Sequence, residues 1–279
     1  MKRQFSLAHL TVLGCPPPEM IYIAALTGYD FVSPRVIPLG EPEYNLAENK
    51  LMMSQTKKAL ADTGLKALDI ELARILPGLD PKTYLPAFEV GAELGARHVI
   101  SSIWTEDRVF ATECFEELCD LAKPFGLTID LEYLPFGGIG ELKGIFEVIR
   151  KANRSNSGFL CDTLYMSPSR VKPGDLAEAP RNWFHFVHLC DGPKELPPLK
   201  TEEMFRTVRE ARLYPGEGGV DIAAIMKEIP MVPCSIELPN AARVQELGYA
   251  EHARRCVTAA RKYFNTKVDV ERKLEAVGG

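Results

Sequence analysis

Glu132 in LTIDLEYL, Asp162 in GFLCDT, His188 in FHFVHLCD and Glu237 in VPCSIEL each close an apolar run with strand character. Three carboxylates and one imidazole make a donor set for a divalent cation: Mn2+, Mg2+, Co2+ or Zn2+. One such ion is therefore the expected cofactor. The chemistry that suits this set is proton transfer beside a carbonyl. The cation polarises the oxygen and stabilises the enediolate. One carboxylate removes the α-proton, and a second returns a proton or protonates a leaving hydroxyl. Glu132 and Glu237 are the candidates for that pair. Each acid alone could instead cap a following helix, so the reading depends on four strands sharing one rim.

The rest of the chain supplies the rim. Four joints have one form, a helical stretch, a glycine, then an apolar β-rich run: T-Gly28-YDFV, T-Gly64-LKALDI, L-Gly95-ARHVI and F-Gly126-LTIDL. A glycine just past a helix can take the left-handed conformation that caps it. Successive joints are 36, 31 and 31 residues apart, the length of one βα unit. Strands are expected near 5–10, 30–36, 66–72, 97–103, 127–133, 158–163, 184–190 and 232–237. Helices are expected near 17–27, 45–63, 81–94, 109–124, 140–153, 168–178, 221–229 and 241–264, with Asp221 a plausible N-cap. Eight alternations without a Gly-rich phosphate loop after the first strand favour a closed (β/α)8 barrel, the TIM barrel, over an open doubly wound sheet. In such a barrel the C-terminal rim holds the active site.

No linker divides the 279 residues, so one domain is expected, with its core over about 5–264 and a polar tail over 265–279. That tail is expected to fray or to pack on a partner subunit, which leaves a homo-oligomer open. The longest irregular stretch, 191–220, follows the seventh strand. It is a candidate lid or substrate loop, or a plain surface connection.

Composition narrows the function classes. Hydrophobic residues make up 46% and charged residues 25%, ordinary for a soluble globular chain. A net charge of -5 gives no global field favouring nucleic acid or an anionic membrane. The opening MKRQFSLAHLTVLG lacks a sustained apolar core, so no signal peptide is expected. No apolar run is long enough to span a bilayer. The seven cysteines contain no C-x-x-C pair, which points to reduced thiols in a cytoplasmic protein. Cys161, Cys190 and Cys234 fall inside strands and are expected to pack as small apolar groups rather than as soft ligands.

These motifs resemble those of the xylose isomerase-like TIM barrels, the sugar phosphate isomerase/epimerase superfamily. The matching parts are Glu132, Cys161-Asp162-Thr163-Leu164-Tyr165, His188-Leu189-Cys190-Asp191, Pro215-Gly216-Glu217-Gly218 and Ile236-Glu237. The resemblance implies that Glu132, Asp162, His188 and Glu237 bind one divalent metal, and that the two glutamates serve as acid and base. Two departures stand out. The family's Asp-x-x-His becomes Asp162-x-x-Tyr165, which counts against dehydroshikimate-type dehydration. The Asp-x-His before the Gly-Glu-Gly loop of the family's AP endonucleases becomes Glu210-Ala211-Arg212, which counts against DNA repair.

Other rim residues bear on substrate. His9, Arg35, Arg74, Trp104, Tyr165, Lys194 and Arg212 are the candidate substrate contacts. Arginines suit carboxylate or phosphate, so two or more pointing inward would mean an anionic substrate. They could equally pair with Glu71, Glu106 or Asp107. Trp104 could stack on a sugar ring or pack beside the loops. The leading expectation is a metal-dependent isomerase or epimerase of a small carbonyl substrate: a sugar, keto-acid or cyclitol. The alternatives are a lyase or dehydratase of the inosose or 3-dehydroshikimate type, and a non-catalytic binding or accessory barrel.

Overall fold

The computed structural model describes residues 3–39, 44–166 and 171–268. Nine parallel strands make one sheet: β1 (Phe5–Ala8), β2 (Phe31–Ser33), β3 (Lys66–Ala67), β4 (Asp69–Ile75), β5 (His98–Ile103), β6 (Thr128–Glu132), β7 (Ser157–Asp162), β8 (Val187–Leu189) and β9 (Cys234–Ile236). Their order is β3-β2-β1-β9-β8-β7-β6-β5-β4. β3 and β4 are one stave of the barrel, interrupted at Leu68, so eight staves stand where eight strands are expected. Leu68 bridges both sides, its N–H bonded to Val32 O and its carbonyl accepting from Arg97 N. A parallel bridge between Arg35 and Glu71 ties the exit of β2 to β4 and nearly closes the barrel.

The helices are α1 (Pro17–Thr27), α2 (Lys50–Thr63), α3 (Leu85–Glu93), α4 (Arg108–Ala122), α5 (Leu142–Ala152), α6 (Glu202–Glu210), α7 (Ile222–Glu228) and α8 (Ala241–Tyr263). All four joint glycines have positive φ, +87° at Gly28, +71° at Gly64, +77° at Gly95 and +72° at Gly126. A side chain there would be strained, which is why this residue type ends each of these units. Asp221 accepts from Ala224 N at 3.0 Å and caps α7 as expected.

Two expectations change. The helix expected over 168–178 is not α-helical in its described part: short 3-10 turns occupy Thr163–Met166 and Pro173–Glu178, while 167–170 lie outside the described residues. Pro173 and Gly174 there disfavour a regular helix. Helical structure runs on into the first residues of the expected polar tail. Phe264–Val268 form a further turn in which Phe264 and Val268 are buried, and 269–279 lie outside the described residues.

Strand alternation divides the side chains into two sets. On β6, Ile129 and Leu131 join the main core between sheet and helices. Thr128, Asp130 and Glu132 take the other face, so Glu132 comes to the C-terminal rim. Leu68, Ile100, Leu160 and Phe186 make a small separate cluster that fills the barrel's interior.

Candidate metal centre

Four neighbouring staves bring the four residues together. Glu132 ends β6, Asp162 ends β7, His188 lies in β8 opposite Asp162 in register, and Glu237 follows β9. All four are buried, and one ligand atom from each lies within 4.8 Å of the others. His188 Nδ1 sits 3.5 Å from Glu132 Oε1 and 3.4 Å from Glu237 Oε2. These distances are at the limit of a hydrogen bond, and neither ring nitrogen has an aligned partner. A buried imidazole whose Nε2 has no hydrogen bond and whose Nδ1 has only long contacts to two carboxylates is costly unless something binds it. Ligands 2.1 Å from a tetrahedral ion stand about 3.4 Å apart, so the spacing fits a metal-bound Nδ1. The residues present therefore fit a divalent cation.

Arg212 is the unforeseen member. It was expected as a substrate contact in the long loop, but it is buried beside the carboxylates. One Nη donates to Asp162 at 2.6 Å and to the Glu237 carbonyl at 3.1 Å; the other pairs with Glu237 Oε2 at 2.9 Å. Its Nε donates to Val208 O, and Nη2 also donates to the Tyr165 hydroxyl at 3.2 Å. Asp162 thus has Oδ2 on Arg212 and Oδ1 on Leu164 N at 2.8 Å. Together with a divalent ion, Arg212 would balance the three carboxylates charge for charge. The Cys190 thiol also touches this group, 3.4 Å from Arg212 and 3.7 Å from Asp162.

The protein's own charges split the two glutamates. Burial pushes Glu132 up to about 7, against the opposing pull of His188. Burial acts on Glu237 too, but His188 and Arg212 outweigh it and hold that carboxyl well below the usual range. Burial disfavours the charged form of His188, yet Glu237 and Glu132 raise it well above an ordinary imidazole. Tyr165 is pushed well above 10 by burial, so its phenol stays protonated.

The other expected contacts divide. His9 is buried with both ring nitrogens in use, on Cys15 O and on Arg35 N. Arg35 pairs with Glu71 at 3.0 Å, the scaffold alternative. Arg74 is half-buried at the end of β4, and Lys194 is exposed. Trp104 donates its indole N–H to Ser102 Oγ and lies 6.3 Å from Phe136, which in turn meets Tyr165 edge-on at 5.6 Å. Phe136 therefore joins two of the expected rim residues, though it was not among them. Its one signal in the sequence is an aromatic ring soon after the strand-end Glu132.

Asp191 organises the long loop. Its Oδ1 accepts from Gly192 N and Val220 N, and its Oδ2 from Gly216 N and Gly218 N. An Asp-Gly followed by a glycine-rich PGEGG is the sequence signal for such a carboxylate-amide nest. A second trio, His98, Asp130 and His185, lies toward the opposite end of the barrel. Its imidazoles stack at 5.1 Å and 10°, with His185 hydrogen-bonded to Asp130 at 2.7 Å and His98 to Thr128 at 2.8 Å. Both imidazoles face the Asp130 carboxylate, His98 Nδ1 at 3.6 Å and His185 Nδ1 at 2.7 Å.

A profile of the xylose isomerase-like TIM barrel matches residues 21–259. The chain belongs to that family. Among relatives of this xylose isomerase-like barrel, Pseudomonas aeruginosa 3-dehydroshikimate dehydratase is 24% identical over 265 residues, covering 85% of this chain and 38% of that protein. Bacillus subtilis inosose isomerase is 26% identical over 152 residues, covering 49% of this chain and 51% of that protein. The chain thus spans about half or less of the length of either relative. A zinc-bound IolI protein superposes with a TM-score of 0.79 at 19% identity, covering 95% of this chain and 99% of that one. D-allulose 3-epimerase from Methylomonas sp. gives 0.69 at 16%, covering 94% and 97%. Among the described residues, no helix is long and apolar enough to cross a membrane.

Proposed function

We propose that this barrel is a divalent-metal-dependent isomerase or epimerase that moves a proton beside a carbonyl of a small sugar, keto-acid or cyclitol. The observation behind it is the buried quartet Glu132, Asp162, His188 and Glu237, with one ligand atom from each within 4.8 Å of the others and no hydrogen bond on His188 Nε2. When bound, the metal supplies an electrophile for the substrate oxygen and stabilises the enediolate. Asp162 and His188 hold it. Arg212 fixes Asp162 and Glu237 in place. Among the described residues Glu132 has no arginine partner, whereas Glu237 is paired with Arg212, so Glu132 is the carboxylate freer to take up a proton. It is therefore the residue to abstract the α-proton. Glu237, kept ionised by its partners, stands on a different wall and serves as the second acid/base group. The aromatic side made by Trp104, Phe136 and Tyr165 excludes water from that edge of the mouth.

The dehydratase reading draws on the relative that matches 85% of this chain. Against it stands Tyr165, a protonated phenol that accepts from Arg212 and is no base. Incubation of metal-loaded protein with keto-sugars and keto-acids in deuterated water separates the readings. We expect α-carbon exchange without loss of water in the wild type. Glu132→Gln should lose exchange by roughly 10²-fold or more, while Glu237→Gln retains part of it. A new ultraviolet-absorbing conjugated product would favour the lyase. Absence of stoichiometric metal after loading would favour a non-catalytic barrel.

A further inference from the structure

The inward-facing arginines near the mouth are not equivalent. Arg35 is paired with Glu71, and Arg212 is held by Asp162 and Glu237. Arg74 makes no ion pair with any described residue, and its Nε is buried without a hydrogen-bond partner. Its neighbours Ala73 and Ile75 both pack in the main core outside the sheet. Alternation therefore turns Arg74 to the inner side, at the mouth, beside its register partner Ser102 on β5. The main chain there is pinned: Arg74 N donates to the Tyr84 hydroxyl at 2.8 Å, and that hydroxyl donates to Arg74 O at 3.1 Å. Ser102 accepts the Trp104 indole N–H, which closes that flank with an aromatic ring.

A half-buried guanidinium with an unused donor loses hydration without recovering it from the protein. An anion in the mouth would supply the missing acceptors in the planar, bidentate geometry that arginine favours. We infer that Arg74 is an anion subsite, and that the substrate bears one carboxylate or phosphate at the end away from the carbonyl facing the four-ligand cluster. A single such group is expected because Arg35 and Arg212 are already committed. The inference rests on the proposed metal-dependent reading, since the same molecule must reach both places.

Calorimetry on the full chain loaded with Mn2+ tests it with three metal-chelating hydroxamates. Glycolohydroxamate bears no further charge, malonohydroxamate adds a carboxylate, and 2-phosphoglycolohydroxamate adds a phosphate. At least one charged probe should bind about tenfold or more tightly than the neutral one, and which of them gains tells carboxylate from phosphate. Arg74→Gln should abolish the gain while metal content and neutral-probe affinity stay put, and Arg74→Lys should restore part of it. Equal binding of all three probes to the wild type, or a gain that survives Arg74→Gln, overturns the inference and leaves the metal reading standing. Failure of all three to bind the loaded protein overturns both.

Discussion

At the residue scale, protons and a cation would compete for the same four side chains. Burial lifts Glu132 to about 7, and the glutamates lift His188 well above an ordinary imidazole. Both must be deprotonated to bind a metal, so loading releases protons. Divalent-cation affinity should therefore rise with pH through neutrality. Competition titrations against a chelating indicator at three pH values would read this directly. Glu132→Gln, which has nothing to titrate there, should show a shallower slope. A pH-independent affinity in the wild type would mean that these residues do not hold the ion.

At the element scale, the loop between β8 and α7 depends on one carboxylate. Asp191 satisfies four backbone amides, at Gly192, Gly216, Gly218 and Val220. The fit is close: a Cβ on Gly218 would stand 2.4 Å from Asp191 Oδ1 and 2.1 Å from Gly192 O. Asp191→Ala would leave those amides without their acceptor and cost about 2–4 kcal/mol, in line with charge-assisted hydrogen bonds. Arg212 sits in the same loop, so metal affinity should fall although Asp191 is no ligand. Limited proteolysis should cut the variant within 192–219 faster than the wild type. Unchanged proteolysis and unchanged metal affinity would show that the loop is held by other contacts.

At the scale of the whole molecule, the barrel's inner wall has a cost that depends on pH. Asp69 is fully buried on β4; its Oδ1 accepts from Ser33, and its Oδ2 has no partner. Burial raises it to about 7. A carboxyl whose folded pKa exceeds its unfolded value favours the fold while protonated, and that favour is lost as pH rises from about 4 to about 7. The loss has a ceiling of about 4 kcal/mol, three pKa units at 1.36 kcal/mol each. Urea unfolding at pH 4.5, 6 and 8 should show the wild type losing stability relative to Asp69→Asn over that span. Parallel curves for the two proteins would refute the shift.

The sequence by itself determined the staves, the order of the strand-end donors and the rim they reach. Apolar runs and joint glycines are local signals, and the two-residue alternation of a strand decides which side chains face inward. Glu132, Asp162, His188 and Glu237 were legible for that reason: each closes a strand, and neighbouring parallel strands place their ends together. What those signals cannot fix is which distant groups meet. Arg212 and Arg35 read alike as rim cations, yet one is locked among the carboxylates and the other on Glu71. Arg74, of the same type, has neither partner. That distinction depends on contacts between residues up to 50 positions apart, as between Arg212 and Asp162. Such pairs are set by the closure of the barrel and the path of the 191–220 loop, and no periodicity along the chain records them. The same holds for the difference between the two glutamates, because it follows from where Arg212 lands, against Glu237.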